Sequence, residues 1–251
     1  MTASPAPDPL MLRVYKDDRK GATAFFRNRF FLNVIVARLA ALDAKPVRVL
    51  VQACSIGAEP YSLAATALDR GLDIAIDATD IEPEFVAFAQ RAQYPDAITA
   101  PMTASEKKFF KPAGQGQVEI DAALRAKVKF LPVQSVTEPI PGAYDAVVAM
   151  NVLTYVTPAE QTRAIATMAA ATAHYLCLTA FHPDSIKSDV ESAGFEPVMD
   201  DQSLIHNSWG DRVRPGGATP GSPEYSWMVP PYNMDCADYA WRYCAIFRRK
   251  K

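Results

Sequence analysis

Two rhythms of apolar residues alternate along this chain from about Val47 onward, short β-branched runs and longer stretches at helical spacing. Val47, Val49, Leu50 and Val51 form a buried-strand pattern, and a helical period follows over residues 59–70. Ile74, Ala75, Ile76 and Ala78 make a second strand that ends at Asp80, and a helix over 82–93 comes after it. Further strands are predicted over 128–133, 144–150 and 175–179, with a helix over 157–173 before the last of these. Upstream, Phe25, Phe26, Phe30, Phe31, Val34, Ile35, Leu39 and Leu42 are spaced for a helix over 24–42 packed on the sheet. Downstream, a helix over 182–193 ends at Gly194, a strand over 195–199 follows, and 239–247 reads as a closing strand. Such alternation predicts an α/β fold around a mostly parallel sheet.

The chemistry concentrates where the first strand gives way to its helix. Ala53, Cys54, Ser55 and Gly57 keep that turn small, so a ligand can approach the backbone, and Pro60 suits a first helical turn. In an open α/β sheet the crevice at the carboxyl ends of the strands is where ligands bind. Asp80 follows Gly57 at the spacing at which dinucleotide folds place a ribose-binding carboxylate. A dinucleotide fits poorly, however: GxGxxG is missing, and Glu59 stands where a pyrophosphate would need the helix N-terminus. A ligand with a ribose, no phosphate and a cationic amino group for Glu59 fits better, and S-adenosylmethionine has those features.

Four ordered segments carry a resemblance: TAFFR from Thr23, CSIGAEPYS from Cys54, ATDI from Ala78 and NVLTYV from Asn151. Together they resemble the CheR-type methyltransferases, which transfer methyl from S-adenosylmethionine to glutamate side chains of chemotaxis receptors. With the strand and helix alternation, the resemblance implies an enzyme with a class I methyltransferase fold, a Rossmann-like seven-stranded sheet with an antiparallel last strand. It divides the chain into a tail and short helical N-terminal extension, 1–45, and the methyltransferase domain, 46–251. Residues 94–127 should hold a small β insertion, with Gly114 and Gly116 in its hairpin turn. The segment 202–237, dense in Gly, Pro, Trp and Tyr, is expected to be a lid or an acceptor-binding wall.

The resemblance assigns cofactor binding to Thr23, Arg27, Gly57, Glu59, Asp80, Ile81, Gln134, Ser135, Ala149, Met150 and Asn151, and orientation of the acceptor to Arg27 and Tyr155. Gln134 stands where the family usually has asparagine near the adenine, and keeps an amide that donates and accepts. Ala58, Met150, Gly21 and the run Ala180-Phe181-His182-Pro183 depart from the family pattern, and no room for its helical substrate domain precedes Thr23. The expectation is O-methylation of a carboxylate or hydroxyl on a small molecule or a protein other than a chemoreceptor. A chemotaxis protein-glutamate methyltransferase and a cofactor-binding but non-catalytic sensor or docking module are the alternatives.

Bulk properties narrow the partners. With 49% hydrophobic and 22% charged residues over 251 positions, the chain suits one good-sized α/β domain. A net charge of -2 supplies no general attraction to nucleic acid or anionic membranes. No apolar run reaches the ~20 residues of a membrane span, and the N-terminus lacks the order of a signal peptide, so a cytoplasmic protein is expected. Four cysteines without a CxxC pair and three histidines without metal spacing are read as structural or incidental, and no metal is expected.

Overall fold

The computed structural model describes residues 12–16, 19–210 and 233–251. Its centre is a seven-stranded sheet built from β3 (Val47–Gln52), β4 (Ile74–Thr79), β8 (Val128–Phe130), β9 (Tyr144–Met150), β10 (Thr172–Thr179), β11 (Phe195–Pro197) and β12 (Ile246–Arg249). In space the order is β8-β4-β3-β9-β10-β12-β11. β12 is antiparallel to both of its neighbours, whereas the pairs from β8 to β10 are all parallel. The strand order reverses at β3, which places the crevice of an open α/β sheet at the carboxyl end of that strand.

Each face is covered by helices whose apolar positions the periodicity marked. On one side α1 (Arg29–Ala40), α2 (Ala58–Asp69) and α3 (Pro83–Arg91) bury Ile35, Leu39, Ala64 and Phe85 with Val47, Val49 and Val51. On the other, α6 (Pro158–Ala170) and α7 (Ile186–Ser192) bury Ile165, Met168, Ile186 and Val190 with Leu50, Val147 and Leu176. Local signals set the helix starts: Asn28 Oδ1 accepts from Phe31 N–H at 2.9 Å, and Thr157 with Glu160 closes a reciprocal capping box at the start of α6.

The insertion is a separate three-stranded antiparallel sheet, β5 (Gln93–Pro95), β7 (Gln117–Ile120) and β6 (Phe110–Gly114), with short helices α4 (Ala104–Lys107) and α5 (Ala122–Arg125) beside it. Gln115 and Gly116 both take positive φ, 51° and 69°, as a two-residue hairpin loop requires. Edge-to-face contacts of Phe25 with Tyr94 at 4.9 Å and Phe110 at 5.1 Å fasten the insertion to the N-terminal segment.

Several boundaries differ from the sequence reading. The N-terminal extension opens with a hairpin, β1 (Leu12–Lys16) and β2 (Arg19–Thr23), and α1 begins five residues later than its apolar period because residues 25–28 form a turn. Helix α7 starts at Ile186, since the His182 backbone is bonded to Gln161 instead of entering a helix. Residues 239–247 are not one strand: Tyr239–Arg242 forms α9 after Asp238, whose φ is 58°, and only Ile246–Arg249 pairs as β12. Apolar residues there serve both pieces, with Trp241 stacked on Phe247. Of the segment expected as a lid, residues 211–232 lie outside the described residues, and Gln202–Gly210 is helix α8. Among the described residues no helix is long and apolar enough to cross a membrane.

Candidate functional site

The chain leaves the carboxyl edge of the sheet through residues in left-handed backbone: Ala53, Ser55 and Gly57 after β3, Asn151 after β9 and Ala180 after β10. Non-glycine residues there cost about 1–3 kcal/mol each and cluster where a site needs an unusual turn. Between these turns the side chains form two groups of polar contacts.

The first is centred on Glu59, in the opening turn of α2. One carboxylate oxygen is paired with the Arg27 guanidinium and the other accepts from the Thr23 hydroxyl. All three side chains are largely buried. Arg27 also reaches the loop after β9: with its amide turned to satisfy both neighbours, Asn151 accepts from Arg27 Nη1 at 2.9 Å and donates to Thr179 Oγ1 at 3.1 Å. The turn carrying Arg27 is held by Ser62, whose Oγ accepts from Phe26 N–H at 2.8 Å and donates to Ala58 O at 2.6 Å. Met150 lines a small cavity beside Arg27 and Glu59, where the resembled family has arginine. Cation and carboxylate thus stand side by side, with complementary charges for the two ends of a zwitterion.

The second group is centred on Asp80, just past β4 and 6% exposed. Its Oδ2 accepts from Ser55 N–H at 2.7 Å and its Oδ1 from Glu82 N–H at 3.0 Å. Burial pushes its pKa above the ordinary 3.8, against the N–H groups of Glu82, Ser55 and Ile81, which pull it down. The two oxygens offer about four acceptor positions, so the carboxylate can take a further donor such as a ribose hydroxyl. Ile81, 50% exposed, and Val133, 49% exposed, flank this end with apolar surface. Gln134 N–H donates to Asp80 O at 3.0 Å, bringing the two loops together.

Other expected site residues lie outside these two groups. The Gln134 amide donates to Pro139 O at 2.6 Å within its own loop, and Ser135 bonds to Thr137 and Glu138. Ala149 is wholly buried in β9, paired with Gln52 and Leu178. Tyr155 lies in a short 3-10 turn, 64% exposed. At Gly57 a Cβ would lie 2.9 Å from Ala89 Cβ and 3.1 Å from the Tyr94 hydroxyl, so the protein's own packing requires a small residue there. That hydroxyl in turn donates to Ile56 O at 2.7 Å, fixing the turn from below.

Sequence reasoning missed Ser55 as the donor to Asp80, Ser62 as the clamp on Phe26 and Thr179 as the support of Asn151. Thr179 could have been found, since it ends a predicted strand beside the strand that ends at Met150. The Ser62 contact joins residues 36 apart and left no signal in the pattern.

Comparison with known proteins gives the site a setting. Residues 21–196 match the family described as CheR methyltransferase, SAM binding domain. A chemotaxis protein methyltransferase of Vibrio anguillarum is 29% identical over 161 residues, covering 59% of this chain and 58% of its own length. Chemotaxis protein methyltransferase 2 of Pseudomonas aeruginosa is 32% identical over 160 residues, covering 59% and 57%. The chain therefore spans a little over half the length of the curated relatives it matches. Among solved structures, magnesium protoporphyrin IX methyltransferase from Synechocystis with bound SAM aligns with a TM-score of 0.45 at 18% identity, covering 68% of this chain and 71% of that one.

Proposed function

We propose, from the premise that this chain belongs to the CheR methyltransferase family through its SAM-binding domain, that it transfers a methyl group from S-adenosylmethionine to a carboxylate oxygen. The observation that carries the reading is the Thr23–Arg27–Glu59–Asn151 group, which sets a carboxylate and a guanidinium side by side at the carboxyl end of β3.

S-adenosylmethionine supplies an electrophilic methyl on a sulfonium, and the electron pair of the broken C–S bond leaves on sulfur as a neutral thioether. Glu59 would hold the ammonium of the methionine end and Arg27 its carboxylate, while Asp80 would accept from a ribose hydroxyl. Ile81 and Val133 would border the adenine. With the donor fixed this way, the chain's remaining work is alignment and exclusion of water. An acceptor carboxylate is already ionised near neutral pH and needs no proton removed. Arg27, Asn151 and Tyr155 can orient an anionic oxygen, and none of the three is a base suited to a hydroxyl acceptor. Relatives named as chemotaxis protein methyltransferases support a protein as the acceptor.

The test is methyl transfer from methyl-labelled S-adenosylmethionine to a receptor cytoplasmic fragment and to a panel of small carboxylic acids. Methyl esters release volatile methanol in alkali, whereas ethers and N-methyl products do not. Alkali-labile label supports the reading, and alkali-stable label points to a different acceptor atom. Tight S-adenosylhomocysteine binding with no label on any acceptor would favour a cofactor-binding sensor.

A further inference from the structure

The loop between β9 and α6 carries two groups assigned above, Asn151 and Tyr155. Besides the Asn151 side-chain contact to Thr179 Oγ1, three contacts join it to the end of β10 and the loop that follows. Asn151 N–H donates to Thr179 O at 3.1 Å, and Thr154 N–H donates to Ala180 O at 3.0 Å. The third comes from a side chain: His182 Nε2 lies 2.6 Å from the carbonyl oxygen of Val156. A carbonyl only accepts, so this imidazole nitrogen carries the proton.

His182 is itself gripped on both sides of its backbone. Its N–H donates to Gln161 Oε1 at 2.7 Å, and Gln161 Nε2 donates to His182 O at 3.2 Å. The Gln161 amide is fully buried, and its nitrogen shares its two hydrogens among His182 O, Ser185 Oγ at 2.9 Å and Asp189 Oδ2 at 3.0 Å. Asp189 Oδ1 accepts from Thr162 Oγ1 at 2.8 Å. The imidazole is therefore an arm of fixed reach, running from a network rooted in α6 and α7 to the residue after Tyr155.

Tyr155 depends on such an arm. At 64% exposure it is not held by packing, and its own N–H closes its turn on Val152 O at 3.0 Å. Two of the three cross-loop contacts are backbone to backbone and indifferent to side-chain identity. Thr154 and Val156 flank Tyr155, so its turn is held on one side by a backbone contact and on the other by a donor of the right length at position 182. We infer that His182 is a positioning residue for methyl transfer: it fixes the turn over 153–155, acts through Tyr155, and touches neither cofactor nor acceptor. The inference rests on the reading of Tyr155 as the acceptor-side group. It replaces the incidental role that the sequence suggested for this histidine.

Two variants test it. His182→Phe keeps an aromatic ring and removes the donor, whereas His182→Gln keeps an N–H at similar reach. Hydrogen exchange of the amides over 152–156 comes first, because it requires neither cofactor nor acceptor. Exchange there should be roughly tenfold faster or more in His182→Phe and near wild type in His182→Gln, with β3 unchanged in both. S-adenosylhomocysteine should bind all three proteins within about twofold. In turnover, a misplacement of about 1 Å costs up to ~100-fold, so His182→Phe should lose about ten- to a hundredfold in kcat and His182→Gln should recover most of it. Added to Tyr155→Phe, the His182→Phe change should cost little more. Equal exchange over 152–156 in wild type and His182→Phe overturns the arm. Losses that multiply in the double variant overturn action through Tyr155. If the wild type binds S-adenosylhomocysteine but methylates nothing, the function reading fails, and the exchange measurement still decides the arm.

Discussion

Glu59 does two things with one carboxylate, binding Arg27 through one oxygen and Thr23 through the other. Glu59→Gln keeps the shape and removes the charge that an ammonium and a guanidinium both need. Loss of a charge-assisted contact costs ~1.5–3 kcal/mol, so S-adenosylhomocysteine affinity should fall about ten- to a hundredfold by calorimetry. Asp80 makes a different prediction, through pH. Its carboxyl is raised above 3.8 by burial, so as a proton-holding group it favours the folded state in acid, and that contribution is lost as pH rises through the raised value. Binding has the opposite sign, because the ionised form accepts from a ribose hydroxyl. Affinity for S-adenosylhomocysteine should decline as the pH is lowered from neutral toward that value, with the decline absent in Asp80→Asn. Both carboxylates were legible in the sequence, since each stands at a fixed remove from a strand end. The destination of the Gln134 amide was not, because a loop closing on Pro139 leaves no periodic trace.

The turn between β3 and α2 shows what a single element can demand of its sequence. Gly57 sits at φ 89° and its missing side chain makes room for Ala89, Tyr94 and Phe130. Gly57→Ala meets both a left-handed backbone and a Cβ contact of 2.9 Å, for an expected loss of ~2–4 kcal/mol in urea unfolding. Cofactor affinity should fall with it, since α2 carries Glu59. The strand Tyr144–Met150 was read to the residue, whereas the reading over 128–133 overran β8 by three residues and that over 175–179 began three residues inside β10. Helix starts governed by a distant contact were not legible. The period over 24–42 gave no hint that Ser62 would hold residue 26 out of the helix, or that Gln161 would do the same for residue 182.

At the scale of the molecule, the site lies where the carboxyl ends of β3, β4, β9 and β10 converge. The α/β class and a mostly parallel sheet follow from alternation, whereas the order of the strands in space does not. The left-handed turns and the division of 239–247 between a helix and a strand depend on tertiary contacts that sequence spacing does not carry. β12 completes the sheet by pairing β10 on one side and β11 on the other, and Phe247 is fully buried in it. Phe247→Ala should cost ~3–5 kcal/mol, seen as a lower urea midpoint with an unchanged slope.

That placement also sets a timetable for synthesis. Among the described residues β11 pairs with β12 alone, and 48 residues separate Pro197 from Ile246. At about 5–20 residues per second a ribosome takes roughly 2–10 s to cross that interval. For those seconds β10 presents a bare strand edge and β11 has nowhere to dock. The nascent chain is thus most exposed to misassembly when nearly all of its parallel sheet has already been made, and a chaperone that shields strand edges would matter most in that window.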